Sequence, residues 1–106
     1  MSKAEFQQKR TRDIERRTIN DWRRVLNLVE GRRVIYSLFL ATNHRQNAFV
    51  RGDTHATAYN CAMRALGNWI EDFVRKADPA VYEQMKQEYE AEIKQLATDL
   101  KNVEDD

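Results

Sequence analysis

The sequence is poor in residues that bend, cross-link or ligate. Among 106 residues there are one cysteine, one proline, three glycines and two histidines. A lone thiol, Cys61, closes no internal disulfide, so nothing calls for an oxidising compartment. The glycines, at 31, 52 and 67, stand apart, so no glycine-rich phosphate loop exists. His44, His55 and Cys61 lack the i,i+4 or Cys-x-x-Cys spacing of a metal site. The two histidines are expected to be solvated or to cap helices, and Cys61 to be a passive, half-buried thiol. No apolar run approaches the roughly 18 to 20 residues that span a bilayer. The N-terminus, MSKAEFQQKRTRDIERR, has positive charge but no apolar core segment, so it does not read as a secretory signal, and Glu5, Asp13 and Glu15 make it too acidic for a transit peptide. The expected location is a cytoplasm, or a particle assembled in one. The carboxylates Glu83, Glu88, Glu90 and Glu92 fall on a polar helix, where such runs solvate the surface rather than form a glycosidase pair. Neither an enzyme nor a cofactor is expected.

What is abundant is charge, at 33% of residues, and helix-favouring side chains. The net charge of +1 conceals an uneven distribution. Residues 1–33 hold ten Lys/Arg against five Asp/Glu, and residues 78–106 hold three against nine. The chain has a basic front and an acidic rear.

Few breakers and helical periodicity predict an all-α fold: a small bundle of three to four helices, with an N-terminal helical arm and a long C-terminal helix. Residues 1–20 read as the polar basic arm, 21–100 as the core domain and 101–106 as a disordered acidic tail. Apolar residues in the arm are sparse (Phe6, Ile14, Ile19). Asp21 is placed to cap a helix from Trp22, with Trp22, Val25, Leu26 and Val29 on one stripe. The stripe then loses phase, and Gly31 is the expected break, as a left-handed residue after the helix. A kinked but continuous helix is the competing reading.

From Arg33 to Ala41 the chain is apolar nearly all round, with Val34, Ile35, Leu38 and Phe39 expected in the core and Tyr36 and Leu40 on its flank. Residues 42–53 form a loop carrying an apolar island, Ala48-Phe49-Val50. Phe49 is expected to tuck over the core, and exposure as an anchor for another protein is the alternative. Tyr59, Ala62, Met63, Leu66, Trp69, Ile70, Phe73 and Val74 then make the strongest apolar stripe, after an N-cap at Asp53 or Thr54. Asp78-Pro79 restarts a last helix whose stripe is close to a heptad (Tyr82, Met85, Tyr89, Ile93, Leu96, Leu100). Its near half is expected on the core, with its far half projecting or self-associating.

The candidate contact residues are the basic ones near the front: Lys9, Arg10, Arg12, Arg16, Arg17, Arg23, Arg24, Arg32 and Arg33. Such a segment suits phosphates or an acidic partner, including the rear of a neighbouring copy. It equally suits a solvated helix partly neutralised by Glu5, Asp13, Glu15, Asp21 and Glu30. Phe49 and Tyr36 are the candidate protein contacts.

Several stretches also share an order and spacing with a known family. They are Glu30-Gly31-Arg32-Arg33-Val34, the run Gly52-Asp53-Thr54-His55-Ala56-Thr57-Ala58-Tyr59-Asn60, then Arg64, Leu66-Gly67 and Trp69-Ile70, and finally Ala77-Asp78-Pro79-Ala80-Val81-Tyr82 with Met85 and Glu88. The chain resembles a family of small tailed-phage proteins typed on a Bordetella podophage, over about residues 21 to 90. It departs at Cys61-Ala62-Met63-Arg64, where the family often carries Glu-Gly before the arginine. The resemblance implies a phage product of the head-assembly genes, a minor virion component near the portal or inside the head, and it carries no catalytic residues. The implied partners are other virion proteins, whether portal or neighbouring copies in a homo-oligomer, with non-specific DNA contact possible for the arm and no membrane. A DNA-packaging accessory protein and a small host-directed regulator are the alternatives.

Overall fold

The computed structural model describes residues 1–104 and contains four helices: α1 (Lys3–Leu26), α2 (Val29–Thr42), α3 (Thr54–Ala77) and α4 (Val81–Glu104). There is no strand among the described residues, and the all-α expectation holds.

The arm is not a separate element. Ser2 opens α1 by accepting a hydrogen bond from the Glu5 amide at 3.1 Å, and the helix runs unbroken past Asp21. Neither Gly nor Pro interrupts residues 3–26, so the backbone ladder continues and Asp21 has no free amides to cap. The boundary drawn between 20 and 21 therefore falls inside one rod, and the helix start at Trp22 is corrected. Ile19 and Trp22 lie against the core.

The break after this rod lies at Asn27–Leu28, not at Gly31, which sits in the first turn of α2. Gly31 matters through contact rather than through a left-handed conformation. A Cβ there would stand 1.9 Å from the Val25 carbonyl oxygen, so only glycine lets α2 start this close to the end of α1. The Arg32 guanidinium secures the same corner, donating to the Leu26 carbonyl at 2.9 Å.

The core gathers Leu26, Ile35, Phe39, Ile70, Val74, Ala77, Val81 and Met85 from all four helices, with Tyr36 and Tyr82 packed beside it. Ile35 and Phe39 are buried as expected, whereas Val34 and Leu38 are exposed. α2 shows the core only one side, with Ile35, Phe39 and Thr42 spaced along it. The α3 stripe is likewise core only in its second half. Ile70, Val74 and Ala77 are buried, but Tyr59, Leu66 and Trp69 are 65, 48 and 56% exposed. The buried face is turned toward Gly67 and Glu71, where the chain after α2 crosses. A Cβ on Gly67 would lie 2.4 Å from the His44 Cβ and 2.5 Å from the Thr42 hydroxyl oxygen.

The loop 43–53 leaves α2 through Asn43 in a left-handed conformation (φ 49°). Ala48, not Phe49, is the buried residue, and Phe49 is 66% exposed, correcting the expectation that it covers the core. Asn60 donates to the Ala48 carbonyl, and the Thr57 hydroxyl bonds both the Val50 amide and its carbonyl. That clamp fixes the backbone with the Phe49 ring outward. Asp53 caps α3 by accepting from the Ala56 amide at 2.9 Å. Pro79 lies in the turn before α4 rather than in its first helical turn, while the Asp78 carboxylate accepts from the Ala80 amide. α4 packs through Val81 and Met85, then projects, with residues 90–103 all exposed. Residues 101–104, expected to be disordered, belong to α4, and the last two residues of that tail lie outside the described residues.

The result is a flat plate, 74 × 41 × 16 Å, with a radius of gyration of 19.3 Å. A compact chain of this length has a radius of about 13 Å.

Candidate partner and phosphate interface

The nine basic candidates separate into two groups. Lys9, Arg10, Arg12, Arg16, Arg17 and Arg24 are exposed along α1, over a rise of about 22 Å at 1.5 Å per residue. Among the described residues, none of the six forms a salt bridge. Arg10, Arg17 and Arg24 recur every seven residues and share one side of the helix, with Asp13 and Asp21 between them.

The other three are engaged within the fold. The Arg23 Nε donates to the Ala77 carbonyl at 2.9 Å, tying α1 to the end of α3. Arg32 is largely buried, its side chain 12% exposed, and its Nε donates to Glu88 at 2.9 Å while its Nη1 holds the Leu26 carbonyl. One guanidinium thus joins the first, second and fourth helices. Arg33 pairs with Glu92 at 3.2 Å on the open surface.

Of the two protein-contact candidates, Phe49 stands free on its loop. Tyr36 is half-buried in an aromatic cluster, with ring centroids 6.4 Å from Phe39, 6.3 Å from Tyr82 and 5.1 Å from Tyr89. Burial, then the nearby Tyr82 and Glu90, raises its hydroxyl pKa. Tyr36 also lines an open groove between α2 and α4 with Arg33, Ser37, Leu40 and Tyr89.

Sequence reasoning missed Glu71. Helical spacing places it beside Ile70 on the buried side of α3, where it is 8% exposed. Its Oε1 accepts from the Arg45 Nε at 3.0 Å and lies 3.3 Å from the His44 Nε2, and its Oε2 faces the Arg75 Nη2 at 3.1 Å. A carboxylate only accepts, so the histidine Nε2 is the donor in that contact. Burial pushes the Glu71 carboxyl pKa up, but the hydrogen bonds from Arg45 and His44 and the charges of Arg45 and Arg75 outweigh it and hold it below the ordinary value. Arg45 also lies over the Tyr82 ring, 3.9 Å from its centroid.

His44 is therefore a buried structural residue, 3% exposed and 4.8 Å from the Phe39 ring, not a solvated or capping one. Cys61 is exposed rather than half-buried. Among the described residues no three His, Cys, Asp or Glu side chains converge to hold a metal ion. The Glu71 cluster has its hydrogen-bonding capacity committed to neighbours and acts as an electrostatic clasp between α3 and the segment after α2.

The family model described as Bbp19-like phage protein matches residues 22–87. The chain belongs to this family of phage proteins. The Bbp19-like region contains every residue of the buried hydrophobic core, from Leu26 to Met85. Most of the basic length of α1 and the projecting half of α4 lie outside it. No curated protein and no solved structure matches the chain significantly. The stretches first singled out by their resemblance have mechanical roles: Asp53, Thr57 and Asn60 hold the loop, and Asp78 turns the chain into α4.

Proposed function

We propose that the protein is a non-enzymatic structural component of a podovirus-type tailed-phage particle. In this reading it sits near the portal or inside the head and works through helix-mediated contacts with portal or neighbouring copies. The observation that carries this reading is the amount of ordered helix left without a neighbour in a member of a phage protein family. Its two long helical ends stand clear of the core, and apolar residues remain exposed on both: Phe6 and Ile14 on α1, and Ile93, Leu96, Leu100 and Val103 on α4. Projecting amphipathic helices suit an assembly component. Mass spectrometry of purified virions tests the reading. Peptides of this chain at constant stoichiometry support it, and their absence from intact particles overturns it.

The basic side of α1 favours a second role in non-specific DNA contact, as in packaging. Six exposed cations that form no salt bridge among the described residues suit a phosphate backbone. Retardation of duplex DNA that weakens as salt rises supports this role, and no binding at low salt removes it.

A further inference from the structure

Two apolar helical faces of this chain end in solvent, and they differ in their charged borders. The first is the distal seam of α4, formed by Tyr89, Ile93, Leu96, Leu100 and Val103. The steps of four, three, four and three are those of a heptad seam. The same side of the helix packs through Val81 and Met85 on the core, so the seam continues a buried face into water. Among the described side chains its flanking positions hold Glu90, Glu92, Ala97 and Asp99, with no cation among them. The second face lies on α3, where Tyr59, Met63, Leu66, Trp69 and Phe73 follow one another along the helix. Trp69 meets Phe73 edge-on at 5.0 Å, and Phe73 stacks on Trp22 at 5.3 Å with planes 3° apart, which joins this face to α1. α1 carries eight Lys/Arg against four Asp/Glu, whereas α4 carries three against six.

The α4 border disfavours a symmetric pairing of seams, which would set carboxylates against carboxylates, whereas Lys76 over the Phe73 ring and the net basic α1 joined there at Trp22 offer that border opposite charge. Each face suits the other. They also match in length, since Tyr89 to Val103 and Tyr59 to Phe73 each rise about 21 Å. Within one chain they do not meet: Ile93, Leu96, Leu100 and Val103 of the seam and Tyr59, Leu66 and Trp69 of the α3 face are exposed.

The exposed area agrees. A compact monomer of 12.6 kDa exposes about 6,200 Å². This chain exposes 8475 Å². The surplus, roughly 2,300 Å², is enough for a front and a rear contact of about 800 Å² per partner each.

We infer that the distal seam of α4 docks on the α1–α3 face of a second copy of this chain. The inference rests on reading the protein as an assembly component and names the surface used. The contact is head-to-tail, so an open assembly keeps one unused face of each kind, at its two ends, until further copies add or a ring closes.

The test is sedimentation velocity on the purified full chain and on two double variants. One, Leu96→Asp with Leu100→Asp, spoils the seam. The other, Leu66→Asp with Trp69→Ser, spoils the receiving face. All four positions are exposed, and circular dichroism checks that helix content is retained. The wild type is expected to self-associate and each double variant to sediment as a monomer. An equimolar mixture of the two variants is expected to form a dimer, because one intact seam and one intact receiving face remain. A monomeric wild type, a double variant that still self-associates, or a mixture that stays monomeric overturns the inference. Any of these leaves residence in the particle standing. Absence from virions removes that reading without touching self-association of the purified protein.

Discussion

Replacing Glu71 by glutamine keeps the size of the side chain and removes its charge. The cost follows from what its partners do next. Arg45 and Arg75 are about half exposed, with side chains at 49 and 61%, and water replaces most of what they lose. Exposed pairs of that kind contribute only about 0–1 kcal/mol. The His44 side chain is 2% exposed and has no such recourse. A buried donor left with a weaker or misplaced acceptor costs about 1–3 kcal/mol. Glu71→Gln should therefore lose about 1–3 kcal/mol near neutral pH, a large share of the roughly 5–15 kcal/mol by which domains are stable.

The pH dependence is the sharper part of this prediction. The folded carboxyl titrates below its unfolded value, so its stabilisation is present above the unfolded pKa and is lost as pH falls through the folded one. The gap between wild type and variant should be widest near neutrality and should close as pH drops below the ordinary carboxylate value of 4.5. Urea unfolding followed by circular dichroism, at a series of pH values, measures the gap directly. A gap that stays constant or widens into acid would refute the account of Glu71 as a charged clasp.

Gly67→Ala should destabilise although alanine favours helix by about 1 kcal/mol, because overpacking against His44 and Thr42 costs about 1–3 kcal/mol or more. Thermal melts give the sign, and a stabilised variant would show that the crossing is looser than described. Gly31→Ala meets backbone rather than side chain, so it should disturb the α1–α2 corner more, seen as faster hydrogen exchange around residues 26–32. Met85→Ala empties a fully buried site at the junction with α4 and should cost about 2–5 kcal/mol in urea unfolding. Phe49→Ser, on an exposed ring, should change stability by less than about 0.5 kcal/mol in the same assay.

How much of this was legible in the sequence depended on whether the deciding force was local. The Asp53 cap, the loop and the seam spacing of α4 are written in neighbouring residues, and each stands where the pattern puts it. Gly31 reads in the sequence as a turning residue but serves close approach, and both needs leave the same letter in a sequence. Val34, Leu38, Leu66 and Trp69 share helical stripes with buried residues, and periodicity does not say how far a neighbouring helix reaches. Arg32 and Glu71 read as ordinary surface charges because their partners lie 56 and 26 residues away. The basic front is plain in the sequence, but only the tertiary fold separates the cations that hold the protein together, Arg23, Arg32 and Arg33, from those that project along α1.

The continuity of α1 has a consequence of its own. A jointed arm would let its basic residues swivel to suit a partner, whereas an unbroken helix fixes them in phase with Trp22 and Leu26. Adding one residue between Arg17 and Thr18 would rotate everything before it by about 100° around the rod and leave the core untouched. Adding seven would push the arm outward by about 10 Å and keep it nearly in phase. A partner that reads direction would reject the first change and tolerate the second. One that reads only charge would accept both.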